Sequence, residues 1–336
     1  MAQLVTFISD ITQRKLFPLC IEIFEYVLQA PAIAKKMQDN GLYRTLMDLI
    51  RQPSYENVDS VQEFALKGLQ RAAEYDEERR VIHGLEYEEA VLYFLQSNCP
   101  AVQVAALKAL AVMSRRPTNQ TQFFDLGAHR TILFVMQDAE NNIREWGFYA
   151  LAFLMFRNKH VMESLVRKNI GKVILNALKS SEETWETKGN ALFCAILLRK
   201  NTNIREQLRV YIAQLIPNWL LNSTKRIRHY AAVSIGLFVT DAETREAFVK
   251  CKGMKAIQTA CSLSQGKEGG KVDVEFLRNL CFGVAALAVD EETVWKMINA
   301  GSLTPIWVLK NELDRVSQGY VAFAIHRIVS LDRFFK

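Results

Sequence analysis

GLEYEEAVLYFLQSNCPAVQVAALKALAVMSRRPTNQTQFFDLG, residues 84–127, holds one complete supersecondary unit whose outline returns along the rest of the chain. A helical apolar pattern through Ala90, Leu92 and Leu95 stops at the polar break Ser97, Asn98, Cys99, Pro100. Proline ends it, because the residue before a proline is disfavoured in the helical conformation. A second, more apolar helix follows through Val102, Ala105, Ala106, Ala109, Leu110 and Met113, and Phe123, Phe124 and Gly127 close the unit.

Outward from this stretch, glycines that end an apolar helix fall at Gly41, Gly84, Gly127 and Gly171, in steps of 43, 43 and 44 residues. The next is Gly253, a step of 82 or about two further units, and the last is Gly301, a step of 48 that contains the loop Gln265 to Lys271. A helix often ends on one left-handed residue, a conformation glycine adopts without a Cβ penalty, so each glycine marks a seam. Periods of about 40 to 47 residues with two or three helices belong to stacked helical arrays. At 336 residues the chain is long for one core, which stops growing near about 250 to 300 residues, but an array has no such limit.

The longest helix of each unit aligns on small residues: GLQRAA from Gly68, ALAVMS from Ala109, ALAFLM from Ala150, ALFCAI from Ala191, SIGLFV from Ser234 and VAALAV from Val284. The expected organisation is a capping or partial repeat over 1–40 (Phe17, Ile21, Ile23, Leu28, Ile33, Met37), about six repeats over 41–300 and a C-terminal cap over 301–336 ending in Phe334 and Phe335.

The unit resembles the armadillo repeat, in which a seam glycine, an apolar helix, a polar turn and a valine-glutamine pair lead into an alanine-leucine helix. Val102-Gln103 with Ala105, Ala106, Ala109 and Leu110 carries the resemblance, and Val61-Gln62 with Ala65 and Leu66 repeats it more loosely. Ile143-Arg144 and Ile227-Arg228 keep its apolar half. The resemblance implies an all-α, right-handed α-solenoid whose third helices line a concave groove for extended or helical peptides. It also implies an asparagine on each third helix that grips the peptide backbone. The corresponding positions here are Arg71, Val112, Phe153, Cys194, Leu237 and Leu287, so that asparagine ladder is missing.

Residues four apart share a helix face, which adds Lys67, Lys108, Tyr149, Asn190, Val233 and Gly283 to the expected groove. The groove then reads as basic near its N-terminal end and apolar towards its C-terminal end, suited to a protein or peptide with an acidic segment. A solvated surface for Lys67, Arg71 and Lys108 is the competing reading. Of Trp146, Trp185, Trp219, Trp295 and Trp307, most are expected in the core; Trp185, set among Glu182, Glu183, Thr184, Glu186 and Thr187, is the expected exposed anchor. Lys225, Arg226, Arg228 and His229, with Arg115 and Arg116, offer phosphate or carboxylate sites, and Arg228 joins the candidate partner-binding residues. They leave binding of nucleic acid or anionic lipid head groups as the alternative, against which interleaved acids count.

The formal charge of +6 on a long chain mildly favours acidic partners. Six cysteines without a C-x-x-C pair point to a reducing compartment, cytoplasmic or nuclear. No long uncharged apolar run is present, and Asp10 interrupts the opening MAQLVTFISDITQRK, so neither a spanning helix nor a signal peptide is expected. His83, His129, His160, His229 and His326 fall in no metal-ligand spacing and no G-x-S-x-G surrounds a serine. Gly266 to Lys271 lacks the strand and spacing of a phosphate loop. The expectation is a non-catalytic interaction scaffold with no cofactor and no metal.

Overall fold

The computed structural model describes residues 15–16, 19–20, 22–23, 26, 30–51, 58–137, 139–264 and 272–331. Phe17, Ile21 and Leu28 of the expected N-terminal cap, the Gln265 to Lys271 loop, and Phe334 with Phe335 lie outside the described residues. Among the described residues every extended element is a helix, which makes the fold all-α and repeat-like. The chain divides into two compact units, Met1–Lys168 and Asn169–Lys336.

The N-terminal unit holds α1 (Pro31–Asp39), α2 (Leu42–Arg51), α3 (Val58–Ala72), α4 (Asp76–His83), α5 (Tyr87–Phe94), α6 (Pro100–Met113), α7 (Pro117–Asp125), α8 (Ala128–Val135), α9 (Asn141–Met155) and α10 (Lys159–Arg167). Its long helices pack in series, α3 on α6 and α6 on α9. The alanine-leucine helix predicted from residues 100–113 therefore lies in the middle of the stack, with Val102, Val104 to Leu107 and Ala109 to Met113 all buried. A helix that is apolar all round has no solvent face, and short alanines let both neighbours approach. Pro100 starts it at a position where no intrahelical N–H is needed.

The C-terminal unit holds α11 (Ile170–Lys179), α12 (Trp185–Leu198), α13 (Thr202–Leu220), α14 (Lys225–Phe238), α15 (Ala242–Lys250), α16 (Gly253–Ser264), α17 (Val274–Leu287), α18 (Glu291–Asn299), α19 (Thr304–Leu309) and α20 (Arg315–Val329). Here α12, α14, α17 and α20 pack in order. The missing glycine between Gly171 and Gly253 has a direct cause. α13 runs 19 residues without a break, with Pro217 inside it, where the other layers turn between two short helices.

Only part of the seam reading holds at the level of backbone angles. Gly41, Gly127 and Gly301 are left-handed, with φ of 80°, 82° and 70°. At the other three seams a neighbour takes that conformation instead: Glu86, Asn169 and Lys252, with φ of 59°, 58° and 62°. Gly171 and Gly253 answer to packing. A Cβ on Gly253 would lie 2.4 Å from the Phe248 ring, and one on Gly171 would collide with Gln207 and Ile204.

N-cap aspartates tie successive layers of the C-terminal unit together. Asp241, Asp273 and Asp314 each accept a backbone N–H at the start of a helix, satisfying an orphan donor. Each also pairs with a side chain from a preceding helix: Arg209 at 2.9 Å, His229 at 2.9 Å and Arg278 at 2.8 Å. Hydrogen bonds from the Ser317 side chain and backbone, with Arg278 beside them, hold the Asp314 carboxyl at about 2.

In the N-terminal unit His129 is buried, with Nε2 2.9 Å from Ser164 Oγ and Phe124 stacked on its ring. Burial first, then Arg130, Lys168 and Arg167, lowers its pKa to about 4. The unfolded imidazole titrates near about 6.5. The unfolded chain therefore gains a proton, as pH falls from about 6.5 to about 4, that the folded protein refuses. Stability is full above this window, falls through it by about 3 kcal/mol, and is level below it. Denaturant unfolding across this range is expected to show that slope in the wild type and to lose it in His129→Gln.

Candidate partner-binding surface

The expected basic residues come from consecutive long helices of the N-terminal unit: Lys67 and Arg71 from α3 and Lys108 from α6. Beyond Gln103, Lys108 is the one residue of α6 that is not buried. Its stem leaves the packed helix and sets the ammonium 4.3 Å from the Trp146 ring centroid on α9. Such a cation over an indole gains about 0.5 to 1 kcal/mol at an exposed site and more when desolvated. Partial burial lowers the Lys108 pKa; Lys67 and Arg71 add to that effect while Glu145 and Glu63 oppose it. Among the described residues no oxygen lies within hydrogen-bond reach of Lys108 Nζ, whereas Lys67 is paired with Glu63 at 2.6 Å.

α9 continues the surface with aromatic rings. Trp146 meets Tyr149 edge-on at 5.3 Å, and Tyr149 meets Phe153 at 4.8 Å. All three rings are half-buried. The Arg115 guanidinium lies 5.6 Å over Phe153 and is held by Glu74, while Gln120 Nε2 donates to the Phe153 and Phe156 carbonyls and fixes the end of α9. The structure thus gathers Lys67, Arg71, Lys108, Tyr149 and Phe153, and adds Trp146 and Arg115. Trp146 was expected in the core. Its place three residues before Tyr149 on the same helix face was the available signal for the surface.

Other expected positions fall elsewhere. Val112 is buried, so it presents no side chain at the surface where the armadillo pattern places its asparagine. Asn190 is 1% exposed and sits inside α12. The alignment stepped 41 residues from Tyr149 to Asn190, but the helices that carry them start 44 residues apart, at Asn141 and Trp185. Three residues on, Phe193 takes the equivalent place, half-buried and stacked on Tyr230 at 5.1 Å with the rings 4° from parallel. The same slip puts Leu197 where Cys194 was expected; Cys194 is buried, as is Leu287.

Trp185 is exposed, edge-on to the buried Trp219 at 6.0 Å with Lys188 over its face. Trp295 and Trp307 are also exposed, contrary to their expected core placement, because each faces away from the core of a short helix whose inner side is Val294 and Met297 or Ile306 and Leu309. Arg228 donates to the Asn222 and Ser223 carbonyls and closes the turn before its own helix. Lys225 and His229 both reach Asp273, so these members of the basic cluster join layers. Among the described residues no three His, Cys, Asp or Glu side chains are grouped to hold a metal ion, and no helix is long and apolar enough to cross a membrane.

No protein-family model matches the chain. It is similar to a crystal structure of an engineered protein from the Northeast Structural Genomics Consortium, at a TM-score of 0.69 and 18% identity, over 97% of this chain and 78% of that one. Another engineered protein from the same consortium gives a TM-score of 0.59 at 14% identity, over 72% of this chain and 98% of the other. At these identities the likeness is one of fold alone.

Two substitutions separate surface from core. Lys108→Met keeps the stem on Trp146 and removes a repelled ammonium, so its unfolding free energy is expected to stay within about 1 kcal/mol of wild type. Val112→Asn, which introduces the asparagine of the armadillo pattern, places an amide in a buried site and is expected to cost about 1 to 3 kcal/mol. Urea unfolding of both variants checks the contrast.

Proposed function

We propose that this protein is a non-catalytic interaction scaffold of the armadillo type, a right-handed α-solenoid that binds a peptide or helical segment of another protein on the faces of its third helices. The observation that carries the reading is the row on α3, α6 and α9, in which Lys67 and Arg71 act on Lys108, Lys108 lies over Trp146, and Trp146, Tyr149 and Phe153 meet in sequence. Half-buried aromatic rings beside cations are the composition of binding hot spots, where tryptophan, tyrosine and arginine are enriched. The free thiols support a reducing, cytoplasmic or nuclear setting.

Polyanion binding is the weaker reading on specific grounds. Arg115 pairs with Glu74, Lys225 and His229 with Asp273, and Arg228 with two backbone carbonyls, so most side chains of these clusters already have partners.

Affinity capture from the native cell, with wild type and Lys67→Glu/Arg71→Glu compared side by side, tests the scaffold reading. Both substituted residues lie on the solvent side of α3, so folding is expected to survive. A captured partner is expected to bind the variant at least about tenfold more weakly, equivalent to about 1.4 kcal/mol. Equal affinity for both forms would remove the N-terminal face from the reading.

A further inference from the structure

We propose that the row on the N-terminal unit is a two-part seat for an acidic peptide segment: a carboxylate sits among Lys108, Lys67 and Arg71, and a neighbouring apolar side chain packs on Trp146, Tyr149 and Phe153. The inference rests on the scaffold reading and names its partner's chemistry.

Three features of the surface converge on it. The first is the state of Lys108. An ammonium carries three donors, and this one, half-buried on a helix that is otherwise closed to solvent beyond Gln103, lies over an indole face with no oxygen of the described residues in hydrogen-bond reach. A carboxylate would supply the charge-assisted hydrogen bonds that the indole cannot. Second, Lys67 and Arg71 act on Lys108 as like charges, and partial burial sharpens that repulsion. An anion among the three relieves both effects at once, so its affinity includes the relief of strain already present in the free protein.

The third feature selects a peptide over a polyphosphate chain. Glu63, Glu74 and Glu145 are interleaved with the cations: Glu63 binds Lys67, Glu74 binds Arg115 and Glu145 lies close enough to act on Lys108. A nucleic-acid backbone carries a charge at every step and would meet these acids. A peptide can place one carboxylate in the gap and an apolar side chain on the ring ladder that begins under Lys108. Trp146 thus adjoins both parts of the seat, through its face to Lys108 and through its edge contact to Tyr149.

The test is fluorescence anisotropy with the full chain and a labelled short peptide of glutamate and glycine carrying a single phenylalanine. Controls are the same peptide with glutamine for glutamate, a lysine counterpart and an oligothymidylate of equal length. The glutamate peptide is expected to bind, to weaken at least about tenfold on the change to glutamine, and to weaken as much in Lys108→Met. In Lys67→Glu/Lys108→Glu the preference is expected to reverse towards the lysine peptide. Indifference to glutamine, indifference to Lys108→Met, or tighter Lys108-dependent binding of the oligothymidylate would each overturn the proposal. A captured native partner that binds Lys108→Met as wild type but loses Lys67→Glu/Arg71→Glu would leave the scaffold standing and the seat refuted.

Discussion

The burial of α6 between α3 and α9 is the constraint on which the N-terminal unit depends. A 14-residue helix with ten of its residues buried needs a long neighbour on each side, and each neighbour then has one face turned inward and one left over. The repeat follows from that need, since a single unit cannot cover its own apolar faces. The leftover faces follow too. Lys108 reaches solvent only because its four-carbon stem can cross the packed layer and leave its charge at the edge.

Function is read from that edge. In the core, alanine, valine and leucine are chosen for volume, and their exchange for polar groups is costly. At the edge, Lys108 lies over Trp146 and Arg115, already paired with Glu74, lies over Phe153, so that cations rest against aromatic faces while the rings pack. In the C-terminal unit the corresponding devices are satisfied internally. Asp241, Asp273 and Asp314 serve at once as helix caps and as partners for Arg209, His229 and Arg278. The two units use similar residue types in different settings: in one, Lys108 lies over an indole face, and in the other the aspartates join successive layers.

The repeat was legible in the sequence because two local signals coincide in residues 84–127, proline at the start of a helix and glycine at its close. Gly127 indeed adopts the left-handed conformation, whereas Gly84 does not, and Glu86 takes that role two residues later. A spacing rule sees the residue type and not the backbone angle. Lys67, Arg71, Lys108, Tyr149 and Phe153 were within reach because α3, α6 and α9 keep a nearly constant period. Asn190 was lost to a three-residue shift at α12, which no pattern on α12 itself reveals. The uninterrupted α13 was invisible for a similar reason, since a missing turn leaves only the absence of a glycine. Partner choice for Lys225 and His229 depends on Asp273, 48 and 44 positions away, and that information appears only once the layers are stacked.

A double-mutant cycle between Lys108→Met and glutamate→glutamine at each acidic position of the bound peptide tests the central claim most directly, because it isolates the pairwise coupling from losses of stability or of general charge. A coupling of about 1.5 kcal/mol or more between Lys108 and one peptide carboxylate is the predicted result, in the range measured for close charge pairs across interfaces. Additive effects at every acidic position would contradict it.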